Sequence, residues 1–169
     1  MALKIKEKEF LLVIEQHKGI LYKLSKIYMD DEFDREDLYQ EMLYQLWKSF
    51  ENFKGQSKFS TWMYRVALNT ALVFVKKDKK SPKTESLIED LDVVDHSDHS
   101  VKEERLTYFY RAVKELNEVE KALIFLFLEG FSHREIGGQL GISEGNARVK
   151  LNRTKDKLQE IIKKQGYEF

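Results

Sequence analysis

Residues 131–158, FSHREIGGQLGISEGNARVKLNRTKDKL, decide how the C-terminal part of this chain folds. Two short helical patterns meet there at a glycine. Ser132 and Glu135 stand at the spacing of a capping box, in which hydroxyl and carboxylate each satisfy a free amide of a helix's first turn. Gly137 falls where a second helix must pass close by, and Gly141 where the chain must turn through positive φ. Ser143 then caps a longer helix reaching about Lys164. Ile136, Leu140, Ile142 and Val149 are the apolar residues expected to fill the wedge. The pattern predicts a helix-turn-helix. Its second helix should present Ser143, Glu144, Asn146, Arg148 and Lys150 to base edges and nearby phosphates, with Arg153 and Lys155 on the backbone, because Arg and Asn make bidentate contacts to guanine and adenine. A hairpin with a merely solvated basic face explains less, since cap, turn glycine and cation cluster coincide. The Gly137-Gly138 pair runs against the pattern, at about 1 kcal/mol per glycine relative to alanine.

Working upstream, Asn117 caps a helix over Glu118–Glu129 that Gly130 ends. Before it, Leu106, Phe109, Tyr110, Val113 and Leu116 continue a helical pattern from about Val101. Residues 80–100, KSPKTESLIEDLDVVDHSDHS, contain the sole proline, several Ser and Asp, and little periodicity. They read as a flexible acidic linker.

The N-terminal part reads as three helices. Phe10, Val13, Ile14, Leu21, Leu24 and Tyr28 recur at helical spacing over residues 6–28. Asp34, with Asp37 in the first turn, suits the cap of a second helix, whose apolar stripe is Leu38, Met42, Leu46, Phe50 and Phe53. Asp37, Gln40, Glu41, Tyr44 and Lys48 lie on its opposite face. Gly55 is expected to close that helix. A polar loop over residues 54–60 leads into a third, from about Ser60 to Lys79, with Ser60 or Thr61 as its cap. No stretch reads as a strand and no internal repeat is evident. The fold class is therefore all-α: two small helical domains, residues 1–79 and 105–169, joined by a linker over residues 80–104.

The chain of 169 residues has 29 Lys/Arg against 29 Asp/Glu, which at first argues against nucleic acid. The distribution argues otherwise. Residues 1–79 hold 14 basic against 12 acidic side chains, residues 107–169 hold 11 against 9, and residues 80–106 hold 4 against 8. Acid in the middle offsets two mildly basic ends. No apolar run is long enough to span a bilayer, no signal-peptide core is present, and with no cysteine there are neither disulfides nor thiolate metal sites. A cytoplasmic location is the default. No nucleophile–base set, phosphate-cradling loop or paired buried carboxylates appear, so no enzyme activity and no cofactor are expected. His96 and His99 flank an aspartate, but a polar linker offers no rigid frame for a metal.

The strings DREDLYQE at 34–41, FKGQSKFSTW at 53–62 and WMYRVALN at 62–69 resemble region 2 of the extracytoplasmic-function (ECF) bacterial sigma factors. Residues 116–158 are similar to region 4 of the same family, in the right order and with a linker of suitable size. The resemblance implies a subunit that binds RNA polymerase core, recognises −35 and −10 promoter elements and promotes melting. Asp37, Gln40, Glu41 and Trp47 would dock on the coiled coil of the β′ clamp. Lys54, Gln56, Ser57, Lys58, Phe59, Ser60 and Thr61 would form the pocket for a flipped −10 base, adjoining Trp62, Arg65 and Asn69. Lys76 and Lys77, with Lys79 and Lys80, would neutralise phosphates at the edge of the bubble. Residues 143–155 would read the −35 duplex, and part of Leu123, Phe125, Leu126 and Phe127 would meet the β flap. Family members are also controlled by an anti-sigma factor. Leu68, Asp78 and Ala147 depart from the family pattern. The rival reading is a stand-alone helix-turn-helix regulator, but no ligand pocket or dimer helix is evident for one.

Overall fold

The computed structural model describes residues 2–80 and 101–167. Among these every regular element is a helix, and packing divides the chain into two compact units, residues 1–75 and 76–169. The expected linker, with His96 and His99, lies mostly outside the described residues. Its last positions do not: helix begins again at Val101, so residues 101–104 are helical.

In the first unit, α1 (Ala2–Tyr28) buries Phe10, Ile14, Leu21, Leu24 and Tyr28 on one face, against α2 (Glu32–Ser49). The joint between them is tightly specified. Met29 N donates to the Ser25 carbonyl at 3.0 Å, and Arg35 Nε reaches back to the Met29 carbonyl at 2.9 Å. Asp31, not Asp34, caps α2: its carboxylate accepts from Phe33 N at 3.0 Å. Asp34 sits inside the first turn, where its charge still complements the helix N-terminus. Leu38, Met42 and Leu46 are wholly buried, as the stripe predicts. The helix stops at Ser49, earlier than Gly55. A single 3-10 turn, Phe50–Asn52, then carries the chain into the loop, where Gly55 takes φ +72°. The third helix, α3 (Phe59–Lys80), starts at Phe59, so Ser60 and Thr61 lie within its first turn rather than capping it. It buries Met63, Tyr64, Ala67, Leu68, Ala71 and Val75.

In the second unit, α4 (Val101–Val113), α5 (Glu118–Leu128), α6 (His133–Leu140) and α7 (Glu144–Lys164) pack with α7 as the shared partner of the others. The reciprocal capping box belongs to α5. Asn117 Oδ1 accepts from Glu120 N at 2.9 Å while Glu120 Oε2 accepts from Asn117 N at 3.0 Å. At α6 only half of that arrangement forms, with Ser132 Oγ accepting from Glu135 N at 3.2 Å. Leu123, Phe125 and Leu126 are buried with Ile136, Ala147 and Leu151. Leu123, Phe125 and Leu126 are core, and of that run only Phe127 faces outward.

Candidate nucleic-acid and polymerase interfaces

The helix-turn-helix owes its geometry to two glycines with different duties. Gly137 lies on α6 where the backbone of the turn crosses it. A Cβ built there would sit 2.7 Å from the Ile142 carbonyl oxygen and 3.3 Å from Ser143 backbone atoms, so any side chain would push the second helix away. Gly141 adopts φ +71°, a left-handed conformation that costs most L-residues 1–2 kcal/mol as an order of magnitude. Ile142 N then closes the turn onto the Gly137 carbonyl at 3.0 Å. Ser143 Oγ accepts from Asn146 N at 3.1 Å and starts α7. Ala147 and Leu151, both fully buried, key the helix into the core. Val149 does not fill the wedge; it is 47% exposed, two residues on from the buried Ala147 and so on the opposite side of α7. The small alanine permits the close crossing that a branched side chain would hold apart.

This register leaves Ser143, Glu144, Asn146, Arg148, Lys150 and Arg153 exposed along α7. Arg148 is partly held, donating from Nε to His133 Nδ1 and from Nη2 to Glu144 Oε1, each at 3.4 Å. Lys155 is half-buried, its Nζ 3.6 Å from the centroid of the Phe127 ring, a cation–π geometry that steers the ammonium along α5.

In the first unit the corresponding surface is built from rings. Phe59 at the head of α3 meets Phe53 at 5.6 Å, Trp62 at 5.5 Å, Phe50 at 6.3 Å and His17 of α1 at 5.8 Å between centroids. Phe53 and Trp62 also pack together at 5.3 Å. Beside them Lys54, Gln56, Ser57 and Lys58 are exposed, whereas Phe59, Ser60, Thr61 and Trp62 are half-buried. Trp62 is thus neither pure core nor a free platform. Down α3, Arg65, Asn69, Lys76 and Lys77 point outward, and so does Val73 on the same face.

The outer face of α2 carries Phe33, Asp37, Gln40, Tyr44 and Trp47 at helical spacing, a stripe about 21 Å long. Phe33 is 71% exposed, Tyr44 55% and Trp47 38%. Aromatic side chains displayed in line on a solvated helix, with Asp37 and Gln40 between, form a surface of the kind buried in protein interfaces. Trp47 is braced from below by Phe10, edge-on at 5.1 Å. Glu41 lies beside the stripe, its carboxylate engaged by the Gln45 amide at 2.9 Å.

Sequence comparisons decide what this pair of units is. Sigma-70 region 2 matches residues 13–81, and Sigma-70 region 4 matches residues 106–158. The chain is 27% identical over 92% of its length to the ECF RNA polymerase sigma factor SigE of Mycolicibacterium smegmatis, and 26% identical over 92% to the ECF RNA polymerase sigma-E factor of Haemophilus influenzae. The chain belongs to the ECF sigma factor family. These alignments span 62% of the M. smegmatis protein and 88% of the H. influenzae one. The fold also matches the sigma factor RpoE of Bartonella quintana, solved in complex with the anti-sigma factor NepR, at a TM-score of 0.67 and 20% identity over 93% of this chain and 96% of that one.

This ECF sigma factor is thus an alternative sigma factor, and a stand-alone helix-turn-helix regulator is not favoured. Its α2, the loop after it and α3 fall within region 2, and α5, α6 and most of α7 within region 4. Of the side chains singled out on motif grounds, the α7 set is exposed around the helix on either side of the buried Ala147 and Leu151, except Lys155, which turns toward Phe127, and the region 2 loop set lies beside Phe59. Asp37, Gln40 and Trp47 share one stripe, with Glu41 at its edge. Sequence reasoning left out Phe33, which sits in the first turn just before the recognised motif, and Tyr44, which it placed on the right face but did not select. Helical phase alone would have found both, because each is in step with Asp37 and Gln40. Among the described residues no helix is long and apolar enough to cross a membrane.

Proposed function

We propose that this sigma factor docks on core RNA polymerase through the α2 stripe, using Asp37, Gln40, Glu41 and Trp47 together with Phe33 and Tyr44. The β′ clamp coiled coil is the surface such a stripe fits, since a basic helix offers cations to Asp37 and aliphatic stems to the three rings. The loop from Lys54 to Thr61, with Trp62, Arg65 and Asn69, takes up the unpaired strand of the −10 element. Unpaired bases stack on aromatic rings at about 1–3 kcal/mol per base, and the loop amide and hydroxyls supply edge contacts. Lys76 and Lys77 lie further along α3, where they neutralise phosphates of the adjoining duplex. Residues 143–155 read the −35 duplex from the major groove. Phe127 and Leu128, the exposed end of the apolar run on α5, are the residues there able to meet the β flap. Melting follows from trapping: each base held out of the stack shifts the duplex equilibrium toward the open form.

The observation that carries this reading is the occurrence of both surfaces in one chain, an exposed aromatic–acidic stripe beside an aromatic loop in region 2 and a helix-turn-helix with exposed Asn146, Arg148 and Lys150 in region 4. A simple repressor needs only the last. The protein acts without enzymatic chemistry of its own, in the cytoplasm where the polymerase works, and an anti-sigma factor covering these faces is its expected regulator. Purified chain added to core polymerase should give promoter-specific run-off transcripts. Tight binding of the chain alone to duplex DNA as a dimer, with no core-dependent transcription, would overturn the proposal.

A further inference from the structure

We propose that His133 is a positioning residue for base reading: from the first turn of α6 it holds the guanidinium of Arg148 and, with Glu144, selects the edge that the DNA meets. This rests on the assignment of α7 as the −35 reader. An arginine on an exposed helix face has substantial rotamer entropy to lose on being fixed, and left unguided it serves a phosphate as readily as a base. Here it is guided from two elements. Nε donates to His133 Nδ1 and Nη2 to Glu144 Oε1, both at 3.4 Å. An arginine Nε–H can only donate, so His133 meets it with an unprotonated Nδ1 and carries its ring proton on Nε2. Glu144 lies four residues before Arg148 on the same helix, the favourable order for such a pair.

Each contact is long and individually weak, but they act on the same edge of the guanidinium. With Nε and one Nη2 hydrogen occupied, the terminal edge formed by Nη1 and the remaining Nη2 hydrogen is left for DNA. Two parallel donors on that edge match the paired N7 and O6 acceptors that guanine presents in the major groove. His133 is half-buried at the start of α6, so its ring is a fixed post, whereas Glu144 moves with α7 itself. The sequence alone gives no hint of the pairing, because the two residues are 15 positions apart on different helices.

The test uses the full chain assembled with core polymerase on a promoter pool whose upstream element is randomised. Arg148→Ala identifies the base pair whose preference depends on Arg148. At that pair, guanine is compared with 7-deazaguanine, which lacks the N7 acceptor. His133→Ala is expected to reduce the preference for guanine about threefold, the effect of one weak hydrogen bond. Affinity for DNA lacking the element should not change. His133→Gln, whose side-chain carbonyl can accept from Nε, should recover most of the preference, which a purely structural role for the imidazole would not permit. Equal weakening on all sequences would make His133 a phosphate contact and overturn the proposal. Unchanged preference in His133→Ala, with preference lost in Arg148→Ala, would also overturn it and leave the −35 assignment intact. If Arg148→Ala itself altered no preference, the −35 assignment would fall first.

Discussion

The two DNA-contacting surfaces proposed for this chain are built on opposite plans. In region 4 the readers and the scaffold are separate residues: Ala147 and Leu151 are buried while Asn146, Arg148 and Lys150 are exposed, alternating along one helix. In region 2 the same rings serve both purposes. Phe59 and Trp62 are half-buried, joined to Phe53, Phe50 and His17, and they also border the exposed polar loop. A site on the first plan can change its bases without touching its fold. A site on the second cannot. The difference suits the substrates, since a duplex arrives as a rigid groove to be matched by a rigid helix, whereas an extruded base needs a partly open apolar seat.

Substitution at the centre of each plan tests the contrast. Phe59→Ala removes the ring that four others touch, and about 2–4 kcal/mol of first-unit stability should go with it, somewhat below a fully buried phenylalanine. Open-complex formation should fall in the same variant, even at temperatures where it remains folded. Denaturant unfolding and permanganate footprinting read the two losses. Loss of promoter opening with undiminished stability would mean that Phe59 is a free platform and that the plans are not opposed. Gly137→Ala is the second-unit counterpart. Its Cβ meets backbone rather than a yielding side chain, so overpacking should cost about 1–3 kcal/mol and tilt α7 out of register for the −35 element. Gly138→Ala, one residue on, has open space around it and should instead stabilise α6 by about 0.5–1 kcal/mol. The two adjacent glycines are thus expected to give opposite signs.

Arg148→Ala sharpens the comparison from the reading side. The side chain is exposed and contributes nothing to the core, so stability should hold while binding loses about 1–3 kcal/mol at one −35 base pair. Parallel binding curves on a substituted promoter series check this. A fall in stability comparable to the fall in binding would show that region 4 mixes its roles as region 2 does.

Much of this architecture could be read from the residues, and most of what could not has one physical cause. Helix-turn-helix, turn glycine and the Asn117 and Ser143 caps follow from local chemistry, which sequence carries directly. The buried stripe Leu38, Met42 and Leu46 follows from helical period. What went astray depended on contacts between elements. Asp31 and Asp34 are equally good caps in isolation, and the tie from Arg35 to the Met29 carbonyl favours the earlier helix start by fixing the chain just before it. Val149 reads as wedge-filling until the close crossing at Gly137 gives that place to Ala147. Half-buried Trp62 could not be assigned from pattern at all, because on its plan core and site are one set of atoms. Phe33 and Tyr44 differ: helical phase with Asp37 and Gln40 places both on the exposed face of α2, one just before the motif and one within the stripe.

The smallest expected effect concerns how the region 2 seat is held from the side. Lys6 Nζ of α1 lies 2.7 Å from Glu51 Oε1 on the 3-10 turn, with both side chains largely in solvent. The hydrogen bond from Lys6, then its charge, holds the Glu51 carboxyl below the usual carboxylate range. A depressed folded-state pKa means that the pair's contribution is fully present above the ordinary glutamate pKa, at neutral pH, and is lost as pH falls through the lowered value. Solvent and salt screen such an exposed pair, so its share of stability is slight. In Lys6→Gln the Glu51 titration, followed by side-chain carboxyl NMR, should return toward the ordinary range while the unfolding midpoint at neutral pH barely moves. A marked loss of first-unit stability in that variant, abolished by high salt, would show that the turn beneath Phe53 and Phe59 is pinned by charge. The ring cluster would then be the passenger, and a salt-sensitive −10 seat would replace the apolar one argued here.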